Sequence, residues 1–239
     1  YSIINTGDKK MILCAIISVL FSYLIGSVST ALIISKLFFK IDLREYGSKN
    51  AGGTNAGRVL GKKVGFIVIF LDALKIGVAI GLAYLLMYLF NIDLNSTNAS
   101  IIVYLSALSG AIGHCYPIFF GFKGGKAVST LVGFIVFTNP YLFLLMFVFF
   151  AMILLITKFV SLASMTCSFL LFVFSFIPFF QENMLITDYS IWYSITLLVY
   201  SLLLIFKHRE NIVRLVKGKE LKARWVLRLY NKNKNSSDK

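Results

Sequence analysis

AVSTLVGFIVFTNPYLFLLMFVFFAMILLIT, residues 127–157, decides the fold. It is apolar almost throughout and too long for one crossing of a hydrocarbon core that about 20 residues can span. At its middle, Thr138, Asn139 and Pro140 supply a breaker, because Pro lacks an N–H and Asn tolerates turn geometry. The stretch therefore reads as two antiparallel helices, 127–138 and 140–157. The first arm, about 12 residues at 1.5 Å each, reaches only about 18 Å. It must start deep, with its polar lead-in FKGGK, 122–126, drawn into the protein.

Working outward, further apolar spans fall at 11–35, 64–90, 99–119, 159–180 and 190–206. Lys and Arg crowd the loop 36–63, whereas NIDLNSTN (91–98) and QENMLITDY (181–189) contain neither. Positive loops stay on the cytoplasmic side, so the first faces the cytoplasm and the other two face outside. Lys158 then lies inside with Lys123 and Lys126, and the stretch between must cross an even number of times. The expected fold is an all-α integral membrane protein with seven transmembrane helices in one polytopic domain. Its N-terminus is outside and its C-terminus cytoplasmic, with 207–239 a basic cytoplasmic segment. Lys9 and Lys10 pull the other way but carry less charge than the 36–63 loop. No internal repeat of the transporter kind is visible.

Composition agrees with a bilayer. Of 239 residues, 58% are hydrophobic and 14% charged, against about 25% charged in soluble domains, which excludes a soluble globular protein. The net charge of +14 sits in short blocks between apolar segments and in the tail after Phe206. That is what loops against anionic headgroups require, and without an accompanying motif nucleic acid is not an expected partner. Cys14, Cys115 and Cys167 are odd in number and embedded in apolar stretches, so buried free thiols are expected. With only His114 and His208 besides, neither a metal site nor a cofactor is expected. Tyr1 stands where an initiator Met would, so that end is expected to be processed or a cloning remnant. The stretch 11–35 is too long for a signal-peptide core.

Three polar clusters interrupt the apolar pattern, all on the cytoplasmic side. GSKNAGGTNAGR, 47–58, combines backbone freedom at Gly47 and Gly52 with short hydrogen-bonding side chains at Ser48, Asn50, Thr54 and Asn55. Arg58 adds a planar cation suited to phosphate oxygens. A phosphate cradle and a plain polar loop both fit this composition. GHCYPIFFGFKGGKAVST, 113–130, sets Lys123 and Lys126 around a Gly pair at the mouth of the short helix, where backbone N–H groups and two ammonium groups can meet one anion. The full nucleotide-loop spacing is missing. HRENIVRLVKGKE, 208–220, puts His208, Asn211 and Arg214 on one helical face; a basic helix lying on anionic lipid fits as well. Asp72 and Lys75, at i, i+3 inside the second span, are expected to pair with each other or with these clusters. Lys158, Ser161 and Ser164 open the junction between the fifth and sixth spans, fitting either a site or an anchor with packing serines.

Taken in order, these clusters resemble the three motifs of the bacterial acyl-phosphate:glycerol-3-phosphate acyltransferase family, the PlsY type, with LDALK and KFVSLAS matching weaker segments. The resemblance covers about residues 20–220. Departures are Ala51 for Pro and Gly53 for Ala in the first motif, Ala127 for Gly after KGGK, Ile76 for Gly after LDALK, and Lys158 and Phe159 for Arg and Tyr. The resemblance implies glycerol 3-phosphate as acceptor, a membrane-dissolved acyl phosphate as donor, and 1-acyl-glycerol 3-phosphate plus phosphate as products. It further implies a monomer without cofactor in the bacterial inner membrane, its site facing the cytoplasm. His114 is followed by no Asp within five residues, so the HxxxxD pair of thioester-using acyltransferases is absent.

On this reading Ser48, Arg58, Lys123, His208 and Asn211 face the reacting groups. Asn50, Thr54, Asn55, Lys126, Arg214 and Ser161 bind substrate phosphate. Gly47, Gly52, Asp72, Lys75, His114 and Glu220 support the site from behind. The rival is a membrane transporter of phosphorylated anions, which also needs buried cations among helices.

Overall fold

A computed structural model describes residues 6–186 and 188–223; the tail beyond 223, part of the expected basic segment, and the first five residues lie outside the described part. Among the described residues the chain is helical, with no strand. The helices are α1 (Thr6–Ser27), α2 (Thr30–Phe39), α3 (Gly53–Val59), α4 (Lys62–Leu89), α5 (Thr97–Cys115), α6 (Val128–Thr138), α7 (Pro140–Thr157), α8 (Val160–Phe174), α9 (Pro178–Glu182), α10 (Ile191–Lys207) and α11 (Arg209–Val216). Short 3₁₀ turns lie at Leu43–Glu45 and Ile118–Phe120. Among the described residues four stretches are long and apolar enough to cross a membrane, or five if α10 and α11, bent by 59°, count as one; α6 and α8 are shorter apolar helices. Many outward side chains are large and apolar, such as Phe66, Phe119 and Ile156, the inverse of a soluble surface and the mark of a membrane protein.

The turn between α6 and α7 forms where the breaker stands. Asn139 ends α6 and caps α7, its Oδ1 accepting from the Leu142 N–H at 2.9 Å while Pro140 takes the first turn. The Asn139 amide donates to the Phe180 carbonyl at 2.7 Å, and Leu185 N–H donates to the Thr138 carbonyl at 2.8 Å. The tip is thus stitched to α9 and the segment after it, and no buried polar group of Asn139 goes unmet.

The first span departs from expectation. It is one apolar stretch but two helices, broken at Val28 and Ser29. The cause lies on α4, where the buried Lys75 ammonium donates to the Val28 carbonyl at 3.1 Å and Asp72 accepts from the Thr30 hydroxyl at 2.8 Å. A cation and a carboxylate buried among helices draw polar groups toward them, and the backbone of the neighbouring helix supplies them. Behind this break, α5, α6 and α10 close the bundle core with Tyr104, Phe134, Tyr193 and Tyr200. Phe134 stacks on Tyr200 at 5.4 Å between ring centroids, and the Tyr200 hydroxyl donates to the Ala107 carbonyl at 2.8 Å.

Ala127 explains one departure from the family motif. It caps α6 with φ +61°, fully buried, a left-handed conformation that costs an L-residue about 1–2 kcal/mol and glycine almost nothing. Ala127→Gly is therefore expected to stabilise the protein by about 0.5–1 kcal/mol once glycine's greater unfolded-state freedom is subtracted. Thermal unfolding in detergent should show a midpoint a few degrees higher; an unchanged or lower midpoint would mean that the buried methyl outweighs the strain.

Candidate active site

The loop before α3 is built around Asn55. Its Oδ1 accepts from Ser48 N–H at 2.8 Å, and its amide donates to the carbonyls of Leu43, Tyr46 and Asn50 at 3.0–3.1 Å. Gly47 has φ +62°, and a Cβ there would overlap Asn55 Oδ1. Gly47 is thus required twice, by backbone sign and by space. Asn55, expected to bind phosphate, has its amide engaged with the backbone instead. It holds Ser48 and Asn50 in place for the cavity they line.

The second motif folds back on the end of α5. Gly124 and Gly125 N–H groups donate to the Cys115 and His114 carbonyls at 3.3 and 3.0 Å, and a Cβ on Gly125 would overlap the His114 ring. His114 Nδ1 lies 3.0 Å from the Lys75 ammonium, which also reaches Asp72 Oδ1 at 2.9 Å. Asp72, Lys75 and His114 thus form one buried unit beneath the KGGK run; only His114 reaches the cavity wall, while Asp72 and Lys75 do not.

At the third motif the bend between α10 and α11 turns His208 and Asn211 inward. His208 is 4% exposed, and its Nδ1 lies 2.8 Å from the Leu204 carbonyl. That partner demands a proton on Nδ1, so Nε2 carries the lone pair. Burial pulls His208 down to about 4, so the ring is neutral at ordinary pH. Glu220 is the hub of this end. One oxygen accepts from Ser161 Oγ at 2.9 Å and from the Asn211 amide at 2.6 Å, and the other from Arg214 Nε at 2.8 Å. Burial pushes the Glu220 carboxyl up, but these three donors outweigh it and the net shift is downward. Asn211 Oδ1 in turn accepts from Lys126. Burial, with Arg214 nearby, pulls the Lys126 ammonium down to about 8. Beyond Glu220, the Leu221 carbonyl accepts from Arg58 at 3.3 Å, tying the third motif to the first.

These groups surround a cavity of about 540 Å³. Ser48, Asn50, Gly52, Thr54, Asn55 and Arg58 line its polar end together with His114, Lys126, Ser161, His208, Asn211 and Glu220. Its other arm runs between α4, α6, α7 and α8 past Phe70, Val132 and Phe147. A second, polar chamber of about 880 Å³ shares Ser48, Asn50 and Lys126 with the first; its walls carry six cationic and three acidic side chains. Lys123, expected among the reacting groups, is exposed and faces this outer chamber rather than the cavity. Arg214 lines neither chamber and instead holds Glu220. Ser129, in the first turn of α6, lines the cavity beside Lys126 although the sequence reading passed over it, and its only signal was its place in GGKAVST. Arg44, which pairs with Asp42 and reaches the Phe120 carbonyl at 2.8 Å, braces the outer chamber and was also missed.

Such a site defines a class: a polytopic membrane protein whose cavity is cationic and amide-rich at one end of a helix bundle and apolar among the helices at the other. Residues 16–218 match the family described as Glycerol-3-phosphate acyltransferase. The Glycerol-3-phosphate acyltransferase of Ureaplasma parvum serovar 3 is 40% identical over 233 residues, covering 89% of this chain and 90% of that one. Two crystal structures of PlsY (YgiH), an integral membrane glycerol 3-phosphate acyltransferase, are similar in fold. The glycerol 3-phosphate form has TM-score 0.73 and 36% identity, covering 87% of this chain and 95% of that one. The lysophosphatidic acid form has TM-score 0.70 and 35% identity, covering 87% and 94%. The chain belongs to this family and is a glycerol-3-phosphate acyltransferase. The rival transporter reading finds no support among these relatives.

Proposed function

We propose that the enzyme transfers a fatty acyl group from acyl phosphate to the 1-hydroxyl of glycerol 3-phosphate, giving 1-acyl-glycerol 3-phosphate, a lysophosphatidic acid, and phosphate. The observation that carries this reading is one cavity of two characters, cationic and amide-rich at one end and apolar between helices at the other. A relative whose solved forms are named for glycerol 3-phosphate and for lysophosphatidic acid supports the same acceptor and product. The donor is membrane-dissolved, its tail in the apolar arm, while glycerol 3-phosphate arrives through the cationic outer chamber, whose field concentrates anions.

Seven apolar helices support seven crossings: α1 with α2, then α4, α5, α6, α7, α8 and α10. With Lys and Arg placed as in the sequence, the N-terminus is outside and the site faces the cytoplasm at the inner membrane of a bacterium. The enzyme acts as a monomer, and the residues assigned to the site are enough to build it from a single chain.

An acyl phosphate is an activated mixed anhydride. The acceptor oxygen attacks the carbonyl carbon, the bond from that carbon to the bridging phosphate oxygen breaks, and phosphate leaves. Two phosphates must be held close despite their repulsion, a positioning effect worth up to about 7–11 kcal/mol. Arg58 and Lys126 neutralise them, with Lys123 receiving the acceptor in the outer chamber; Ser48, Asn50 and Thr54 orient them, and Ser161, Asn211, Arg214 and Glu220 fix the shape of the pocket. The hydroxyl proton passes to a substrate phosphate oxygen. A phosphomonoester with a second pKa of about 6 is a better proton acceptor than an imidazole held near 4. His208 lines the cavity beside the acceptor and shapes the pocket without taking the proton.

His208→Gln is accordingly expected to keep turnover within about tenfold and to retain the acidic limb of the pH profile near 6. A fall below about a hundredth, with that limb abolished, would make His208 the base. The class itself is tested by incubating purified protein with labelled glycerol 3-phosphate and either acyl phosphate or acyl-CoA. Lipid product with acyl phosphate alone supports the reading; product only with acyl-CoA overturns the donor.

A further inference from the structure

The apolar arm of the cavity has a definite end. On α6 its wall runs from Val128 to Phe137, nine residues or about 14 Å. On α4 it runs from Phe66 to Leu74, and on α8 from Val160 to Ser168, about 12 Å each. Three helices thus agree on the depth, and Phe137 stands at the deepest point, with Phe143 of α7 across from it.

What Phe137 rests on is informative. Phe70, Leu74, Gly77 and Gly81 follow one another along a single stripe of α4 at helical spacing. The first two line the cavity. At Gly77 a Cβ would overlap the Phe137 ring, whereas at Gly81 nothing lies within 4 Å. The ring therefore occupies the notch left by Gly77, and past it the surface of α4 continues as bare backbone beside open space. The groove stops because one aromatic ring stands across it.

We infer that Phe137, seated in the Gly77 notch, sets the length of acyl chain the enzyme accepts. This rests on the reading that the apolar arm holds the donor's tail. While the tail lies inside the arm, each added methylene gains packing contacts with its walls and raises kcat/KM for the donor, by less than the roughly fourfold expected for a CH₂ leaving water, because the tail comes from lipid. Once the tail meets Phe137, the gain ends. Removing the ring opens the strip from Gly77 to Gly81, about 6 Å or about four more carbons. Adding a methyl at Gly77 pushes the ring into the groove and shortens it.

The experiment measures kcat/KM across a series of saturated acyl phosphates of increasing length, at fixed glycerol 3-phosphate. Wild type should rise and then level off. Phe137→Ala should move the levelling point about four carbons longer, and Gly77→Ala should move it shorter, both with an unchanged KM for glycerol 3-phosphate. Should Phe137→Ala fail to fold, Phe137→Leu and Gly77→Ala carry the test, with shifts in opposite directions. Profiles of unaltered position in active variants overturn the inference. If wild type uses acyl thioesters rather than acyl phosphates, the donor reading fails, and the same length series run with thioesters still judges Phe137.

Discussion

Replacing Lys126 by Met is expected to lower kcat/KM by about three orders of magnitude, the upper range for removing one charged donor from a preorganised site. Lys126 lines both the cavity and the outer chamber, so its ammonium lies where, on the proposed mechanism, the soluble and the membrane-borne phosphate meet. Its bond to Asn211 ties it through Glu220 to Ser161 and Arg214. Losing the charge therefore removes a phosphate partner and leaves Asn211 Oδ1 without a donor. Methionine matches the stem of lysine, so the fold should hold and the deficit should appear in kcat as well as in KM. The pH dependence gives an independent check. With the ammonium pulled to about 8, its charged form dominates below that pH and is lost above it. Wild-type kcat/KM, which reports the free enzyme, should fall about tenfold per pH unit on the alkaline side. Lys126→Arg keeps its charge at every accessible pH, so whatever activity it retains should lack that limb. A Met variant within tenfold of wild type, or a limb at 8 persisting in the Arg variant, would remove Lys126 from phosphate binding.

What the sequence made legible was what depends on one dimension. Apolar runs and the placement of Lys and Arg located α4 through α8 and α10 within a few residues, apart from the outer end of α8. Thr138, Asn139 and Pro140 announced their turn because capping and the missing proline N–H are local properties. The break at Val28 was not legible, since nothing in its own residues opposes a helix; its partners lie on α4, more than 40 positions along the chain. The short helix α3 escaped because it is too brief and too polar to give a periodic signal, whereas α11 was legible from the spacing of His208, Asn211 and Arg214. Within the site, residue types say which side chains could meet a phosphate, but not which of them are already engaged by the protein itself. Asn55 and Arg214 resemble ligands by composition. They prove to be braces because their partners, the Leu43 and Tyr46 carbonyls and the Glu220 carboxylate, come from separate turns of chain. The Gly position in the family motif now held by Ala127 was legible as a departure, and its left-handed backbone gives the physical reason for the glycine.

Asp72→Ala is expected to destabilise the protein by about 3–5 kcal/mol, because it leaves the Lys75 cation buried without its counter-charge. Asp72 is 1% exposed and Lys75 7%, and Asp72 Oδ1 accepts from both the Lys75 ammonium at 2.9 Å and the Thr30 hydroxyl at 2.8 Å. In a bilayer no water is at hand to replace those bonds. The double variant Asp72→Leu with Lys75→Met removes both charges and should be more stable than Asp72→Ala alone, since the larger part of the single penalty is the orphaned ion rather than the lost attraction. Unfolding midpoints in detergent measure both. The activity readout separates architecture from folding. The Lys75 bond to the Val28 carbonyl accompanies the α1–α2 break, and its contact with His114 supports the loop that carries Lys126. The double variant should therefore regain stability yet remain impaired in KM for glycerol 3-phosphate, because the α1–α2 break and the KGGK run lose their shared anchor. If Asp72→Ala costs less than about 1 kcal/mol, the ion pair is not what holds this corner. If the double variant regains full activity along with stability, the pair serves the fold alone, and the position of Lys126 is set by His114 without it.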